Sequence, residues 1–213
     1  MYNPPHFKED RSEIIRAAIR QSRIATLVTQ GADGFDASHV PMLLDDEPAP
    51  HGRLIGHISR ANPQWRTATP GAAALAIIMG PEAYISPAWY PTKRETGKVV
   101  PTWNYVAIHA HGALRFFHDA DRLLALVTRL TETHEARRAE PWAVSDAPPD
   151  FIQSQLKGIV GFELDIARLE GKWKMSQNRL KQDRVGAREG LAREGGEAET
   201  TVAAIIGERD RDE

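Results

Sequence analysis

The chain has 213 residues, enough to bury a sizeable core as one domain or as a domain with an appendage. It contains no cysteine, which excludes thiolate catalysis, zinc–thiolate sites and iron–sulfur clusters. With 27 Lys and Arg against 29 Asp and Glu the formal charge is −2, so no global field gathers nucleic acid or an anionic membrane.

The opening "MYNPPHFKED" is polar and broken by prolines where a secretory signal would be basic and then apolar, so export is not expected and the protein is assigned to the cytoplasm. In "FKEDRSEIIRAAIRQ", Ile14, Ile15, Ala18 and Ile19 recur at helical spacing, with Asp10 or Ser12 available to cap. "RIATLVTQ" reads as a strand, "GADG" as a tight turn and "FDASHVPMLL" as its hairpin partner. After the Pro-rich loop "DDEPAPHG", "RLIGHI" gives a third strand, "AALAIIMGPEAYIS" a fourth and "NYVAIHAHGALRFF" a fifth. The longest apolar run, residues 72–79, is far too short to span a bilayer. Five strands without regular strand–helix alternation predict an antiparallel barrel, mainly β with peripheral helices, rather than a parallel doubly wound sheet. "DADRLLALVTRLTETHEARR" predicts a helix with Leu123, Leu124, Val127 and Leu130 as its stripe and Asp119 at its start. "KGIVGFELDIARLEGKWKMSQ" returns as a bent pair of strand segments meeting near Gly171. Residues 1–178 are read as the barrel domain, and 179–213, charged, glycine-interrupted and weakly helical, as a peripheral appendage.

Alternation along the fifth strand sets Val106, Ile108, Ala110, Gly112, Leu114 and Phe116 on an apolar face, and Tyr105, Ala107, His109, His111 and Arg115 opposite. Two histidines on one strand face suit metal ligation, acid–base chemistry or the wall of a pocket for a flat polar ligand. A metal needs a third ligand, for which His57 and His39 are no more than candidates, and no metal is assigned. Other templates fail: "THEARR" lacks the second histidine of a zincin helix, and no phosphate loop, dinucleotide turn or hydrolase elbow occurs.

Polar clusters at strand ends remain. "GHISRANPQW" exits a strand through Ser59, Arg60 and Asn62 into Pro63, a residue favoured in the first turn of a helix. Free backbone N–H groups, a hydroxyl and a guanidinium at such a junction suit a phosphate monoester; the alternative is ordinary capping by Asn62. In "GKWKMSQNR", Lys172, Lys174 and Ser176 point one way and Trp173 and Met175 the other, a cationic row that serves an anion or a solvated edge strand. Between the clusters, residues 84–105 form a long loop with three tyrosines and two tryptophans, suited to a flat ring or to packing the barrel mouth.

"MYNPPHF", "HVPMLL", "GHISRANPQW", "YISPAWY", "VPTWNYVAIHAHG" and "GIVGFELDIARLEGKWKMSQNR" together resemble the PaiB family of FMN-binding negative transcriptional regulators. That family is similar to the pyridoxamine-phosphate-oxidase-like split barrels, dimers with flavin mononucleotide at the subunit interface. The resemblance implies an antiparallel FMN-binding split β-barrel, a homodimer, and FMN as cofactor. It implies phosphate contacts from Ser59, Arg60 and Asn62, with Ser38, His39, Val40 and His57 near the ring or ribityl chain. Trp103 and His109 from the "VPTWNYVAIHAHG" block, and Lys174 and Gln177 from the C-terminal motif, complete the implied set.

Three functions stay open: a flavin-binding protein that regulates by sensing flavin or redox state, a flavin-dependent oxidoreductase acting on a small or planar substrate, and a direct DNA-binding repressor. The last is disfavoured. Residues 180–213 hold six basic and nine acidic side chains, a poor surface for phosphate backbones.

Overall fold

The hydrophobic periodicities resolve into strands and helices in the computed structural model, which describes residues 1–48, 50–69 and 71–212. The strands are β1 (Lys8–Glu9), β2 (Ala25–Gly31), β3 (Gly34–Val40), β4 (Met42–Asp45), β5 (Arg53–Ser59), β6 (Ala73–Ile85), β7 (Thr102–Phe117) and β8 (Ile159–Lys174). The helices are α1 (Ser12–Gln21), α2 (Gln64–Thr67), α3 (Thr92–Thr96), α4 (Ala120–Glu135), α5 (Pro149–Leu156), α6 (Lys181–Glu194) and α7 (Glu197–Asp212). Ala49, in the Pro-rich loop read from the sequence, and Glu213, in the tail, lie outside the described residues. Among the described residues no helix is long and apolar enough to cross a membrane.

The strands form one antiparallel sheet in the order β3-β2-β6-β7-β8-β5-β4, with β1 added to β8. The predicted hairpin partner of β2 is two strands, not one. Pro41 has no N–H to give to a ladder and separates β3, which pairs with β2 from Ala25↔Val40 to Gly31↔Gly34, from β4, which pairs with β5 from Met42↔Gly56 to Asp45↔Arg53. The expected break near Gly171 is likewise absent: β8 runs unbroken from Ile159 to Lys174.

By contacts the chain divides into two compact units. The first comprises Met1–Ala18, Met79–Ile108 and Glu170–Glu213, the second Ile19–Ile78 and His109–Leu169. The second unit has a core of Ile55, Phe117, Leu123, Leu126, Leu130 and Leu156, with Leu43, Leu124, Val127, Ile152 and Ile159 packed against it. Asp119 caps α4 by accepting from Arg122 N, as the sequence predicts. The predicted apolar face of β7 holds through Leu114, after which Phe117 is buried and Phe116 only half-buried. Packing shifts the alternation there: Gly161 lacks a Cβ, and the Phe117 ring fills the place one would take, 2.2 Å away.

In the first unit Ile85, Tyr90, Ile108, Met175, Leu191, Val202 and Ile206 are among the most buried side chains. The glycines that interrupt the tail have a packing role. A Cβ on Gly186 would stand 2.1 Å from the Trp89 carbonyl oxygen, and one on Gly190 2.2 Å from the Trp89 indole, so one glycine-lined stripe of α6 lies against Trp89. This stripe lets a segment of low amphipathicity form a helix with buried Ala187 and Leu191.

Candidate functional site

In the second unit a short junction joins β5 to α2, and buried side chains fix it to the hairpin. Gln64, almost fully buried, donates from Nε2 to Leu27 O (3.1 Å), Thr29 Oγ1 (3.0 Å) and Asp36 O (3.3 Å). Thr67 Oγ1 donates to Asp36 Oδ2 at 2.8 Å, and Trp65 Nε1 to Arg60 O at 3.0 Å. Held in this way, Asn62 reaches β3: its Nδ2 donates to Ser38 Oγ at 2.7 Å, while its Oδ1 accepts from Gln64 N at 2.9 Å. Two patches 24 residues apart in sequence thus meet in one hydrogen bond. The same atoms carry out the capping that sequence offered as an alternative to ligand binding.

The backbone N–H groups expected to be free at this junction are engaged. Ala61 N donates to Ser59 Oγ at 3.2 Å and Asn62 N to Ser59 O at 3.0 Å, because the chain closes a tight turn there. α2 is a single turn, too short to present an N-terminal anion site. The Arg60 guanidinium is anchored by donating from Nε to Lys157 O (2.7 Å) and from Nη2 to Ile159 O (3.0 Å). It has no carboxylate partner among the described residues, and three of its five N–H donors remain. An anchored, uncompensated guanidinium with a free edge fits a phosphoryl group.

His57 and Ser59 share one face of β5, with Leu54, Gly56 and Ile58 buried on the other. Burial pushes the His57 ring below the usual imidazole range, and its buried Nδ1 has no partner among the described residues. An orphaned ring nitrogen next to the Ser59–Asn62 turn also fits a cofactor that supplies the missing hydrogen bond. On β3, His39 is exposed and bonded through Nδ1 to Thr26 Oγ1 at 3.0 Å. Val40 is buried, so its side chain belongs to the core and only its backbone is left for a ligand. His109 lies with its ring centroid 6.0 Å from that of His111, the two rings tilted by 60°.

Trp103, Lys174 and Gln177 belong to the first unit. Trp103 is 53 % exposed and meets Tyr84 edge to face at 5.8 Å. Gln177 is turned to its own chain: Oε1 accepts from Met175 N (2.7 Å) and Nε2 donates to Trp173 O (2.6 Å), so both ends of the amide brace the turn after β8. In that turn Ser176 adopts φ +65°, a conformation uncommon outside glycine, and is fixed by reciprocal hydrogen bonds with Asn104. Lys174 Nζ donates to Thr102 Oγ1 and Trp103 O. Burial, then the charges of Lys172 and Arg179, hold its amine below the usual lysine range.

Lys172, quoted in the cationic row but outside the implied set of contacts, is the more deeply buried of the two lysines. Its Nζ donates to Tyr2 O at 3.1 Å and stands 5.2, 5.6 and 6.0 Å from the ring centroids of Tyr105, Tyr2 and Phe7. The alternation of Lys172 and Lys174 about Trp173 was the available signal; the aromatic surroundings come from the far end of the chain.

Residues 1–168 match the family described as "Putative FMN-binding domain". The Bacillus subtilis protein named protease synthase and sporulation protein PAI 2 is 34% identical over 194 residues, 91% of this chain and 90% of that protein. An uncharacterized protein of Emericella nidulans is 32% identical over 244 residues, covering 98% and 97%. Among solved structures, the FAD and heme binding protein from Mycobacterium smegmatis superposes with a TM-score of 0.60 over 84% of this chain and 79% of that one; at 14% identity the likeness is one of fold.

Proposed function

The chain belongs to the FMN-binding domain family, with the antiparallel split-barrel fold and FMN as its cofactor, and from that premise we propose that Ser38, His57, Ser59, Arg60 and Asn62 hold the nucleotide. The observation that carries the reading is the Arg60 guanidinium, fixed by two carbonyls, lacking a carboxylate and adjoining the turn whose Asn62 is bonded to Ser38. In this reading the free edge of Arg60 takes the terminal phosphate, with the Ser59 hydroxyl beside it. His57 meets the ribityl chain or ring through its orphaned Nδ1, and His39, the Val40 backbone and His109 line the remainder. Trp103 and Lys174, which belong to the first unit, are not part of this assignment. When bound, FMN supplies reversible electron transfer at its ring.

We infer that the role is regulatory, through sensing of flavin or of its redox state. What supports this is the B. subtilis relative, whose name refers to protease synthesis and sporulation. The near-neutral charge and the acidic tail argue for a signal passed on without direct grip on duplex DNA. Titrating FMN into the purified protein and recording the absorbance of the bound fraction, with bands near about 370 and 450 nm that belong to the cofactor, tests the binding. Retention of FMN through gel filtration is expected. Transcript levels near the gene, compared between wild type and an Arg60→Ala strain, test the regulatory part; unchanged transcripts would remove it.

A further inference from the structure

Lys172 is a charged group in a place where charge is costly. Lys172 is 7 % exposed, and an ammonium carries three N–H donors, yet among the described residues the one oxygen it donates to is Tyr2 O. The faces of Tyr105, Tyr2 and Phe7 offset part of the lost hydration but none of the charge. Lys174, two residues on and therefore on the same strand face, has its ammonium 5.8 Å from the same Tyr105 ring and keeps one N–H beyond its bonds to Thr102 and Trp103. The effects acting on Lys174 are burial and the positive charges of Lys172 and Arg179, with no carboxylate opposing them.

Four acidic groups of this unit, Glu170, Glu9, Asp183 and Asp10, have partners other than these lysines. Glu170 accepts from the Met1 ammonium at 2.9 Å, Glu9 from Arg11 and Arg209, and Asp183 from Thr92 N and Oγ1. Asp10 holds Lys8, the cross-strand partner of Lys172. Next to Lys172 in the strand, Gly171 O accepts from Asn3 Nδ2 at 2.8 Å, and Asn3 Oδ1 is left buried with no partner among the described residues.

We propose that Lys172 and Lys174 form a seat for an oxyanion, a phosphoryl or carboxylate group that supplies the acceptors and the negative charge these two ammonium groups lack. A phosphoryl group suits the seat best: it offers three acceptor oxygens to the two lysines, and in its monoprotonated form a hydroxyl for an acceptor such as Asn3 Oδ1. The oxyanion is that of a small anion separate from the FMN phosphate, which Arg60 takes in the reading above. The inference stands apart from the flavin assignment, because it concerns groups of the first unit that are unsatisfied whether or not flavin binds.

The probe is inorganic phosphate. Thermal unfolding of the flavin-free protein is followed against phosphate concentration, with chloride at equal ionic strength as the control, in wild type, Lys174→Gln and Lys172→Met. Phosphate is expected to raise the wild-type midpoint beyond chloride, with an apparent affinity roughly tenfold or more weaker in each variant, the loss of one charge-assisted hydrogen bond. Lys174 is half-exposed, so Lys174→Gln remains informative if Lys172→Met does not fold. No phosphate effect beyond chloride in wild type, or an effect unchanged in Lys174→Gln, overturns the seat. Given a phosphate effect, FMN and phosphate are expected to bind simultaneously; competition by FMN but not by riboflavin overturns the separate seat. Failure of FMN to bind at all would defeat the flavin assignment and leave the phosphate result standing.

Discussion

Replacing Glu9 by glutamine removes a buried negative charge that joins two separate stretches of the first unit. Glu9 is 3 % exposed, sits in β1 opposite Gly171 of β8, and accepts from Arg11 N (2.9 Å), Arg11 Nε (3.0 Å), Arg11 Nη2 (2.9 Å) and Arg209 of α7. Burial raises its carboxyl, but the hydrogen bonds from Arg11 and Arg209 outweigh burial and bring it down to about 2. A carboxyl depressed in the folded state stabilises fully above its unfolded value and loses that contribution as pH falls through the folded one. Taking the unfolded value as 4.5, the contribution is about 3 kcal/mol at pH 7, about 1.4 at pH 3 and about 0.4 at pH 2. Glu9→Gln should therefore destabilise the first unit by about 3 kcal/mol at neutral pH and by about half that at pH 3. Native-state hydrogen exchange resolved by peptide reads this directly, with faster exchange in residues 1–18 and 170–212. A loss below about 1 kcal/mol at pH 7, or one equal at pH 7 and pH 3, would refute the linkage.

Other expectations follow from single contacts. Gly112→Ala places a Cβ 1.9 Å from Asp165 O, a backbone atom that cannot yield, so the variant should unfold at much lower denaturant or fail to accumulate, as solubility and urea midpoints will tell. Ser176→Ala keeps a side chain at φ +65° and loses both bonds to Asn104, whereas Ser176→Gly loses the bonds but not the freedom; the alanine variant should be the less stable by about 1 kcal/mol in urea unfolding. Sedimentation at micromolar concentration should give a dimer, since Met79, Tyr84 and Trp103 leave apolar surface exposed on the first unit; a monomer alone contradicts this. A gel shift should show no sequence-dependent nanomolar DNA affinity at physiological salt.

Local chemistry was legible in the sequence and long-range partnership was not. The existence of α4, its Asp119 cap, the burial of Leu123 and Leu130 and the apolar face of β7 as far as Leu114 were readable, but Leu126, outside the predicted stripe, is buried while Leu124 and Val127 are only partly so. The split at Pro41 was readable in principle from the missing N–H, but the switch of partner from β2 to β5 depends on strands far away in sequence. Ser59, Arg60 and Asn62 were identifiable as polar groups at a strand end, while Ser38, inside β3, came only from the family resemblance. That Asn62 bonds Ser38, and that Arg60 is anchored to Lys157 O and Ile159 O, results from packing across 24 and about 100 residues. Gln177 carried a plausible motif, yet its amide is consumed by its own turn, which no spacing rule reveals. The surroundings of Lys172 combine Tyr2 and Phe7 with Tyr105, residues no window could bring together.

The placement of the FMN phosphate against Arg60 is tested most directly by titrating FMN and riboflavin into wild type and Arg60→Ala, with fluorescence of the free flavin as the readout. Riboflavin lacks the phosphate, so any general damage from losing the bonds to Lys157 O and Ile159 O weakens both ligands alike and cancels in the ratio. A charge-assisted hydrogen bond contributes about 1.5–3 kcal/mol, so FMN should lose about ten- to hundred-fold in affinity while riboflavin loses far less. Equal losses for the two ligands would mean that Arg60 only braces the chain, and the phosphate assignment would be wrong.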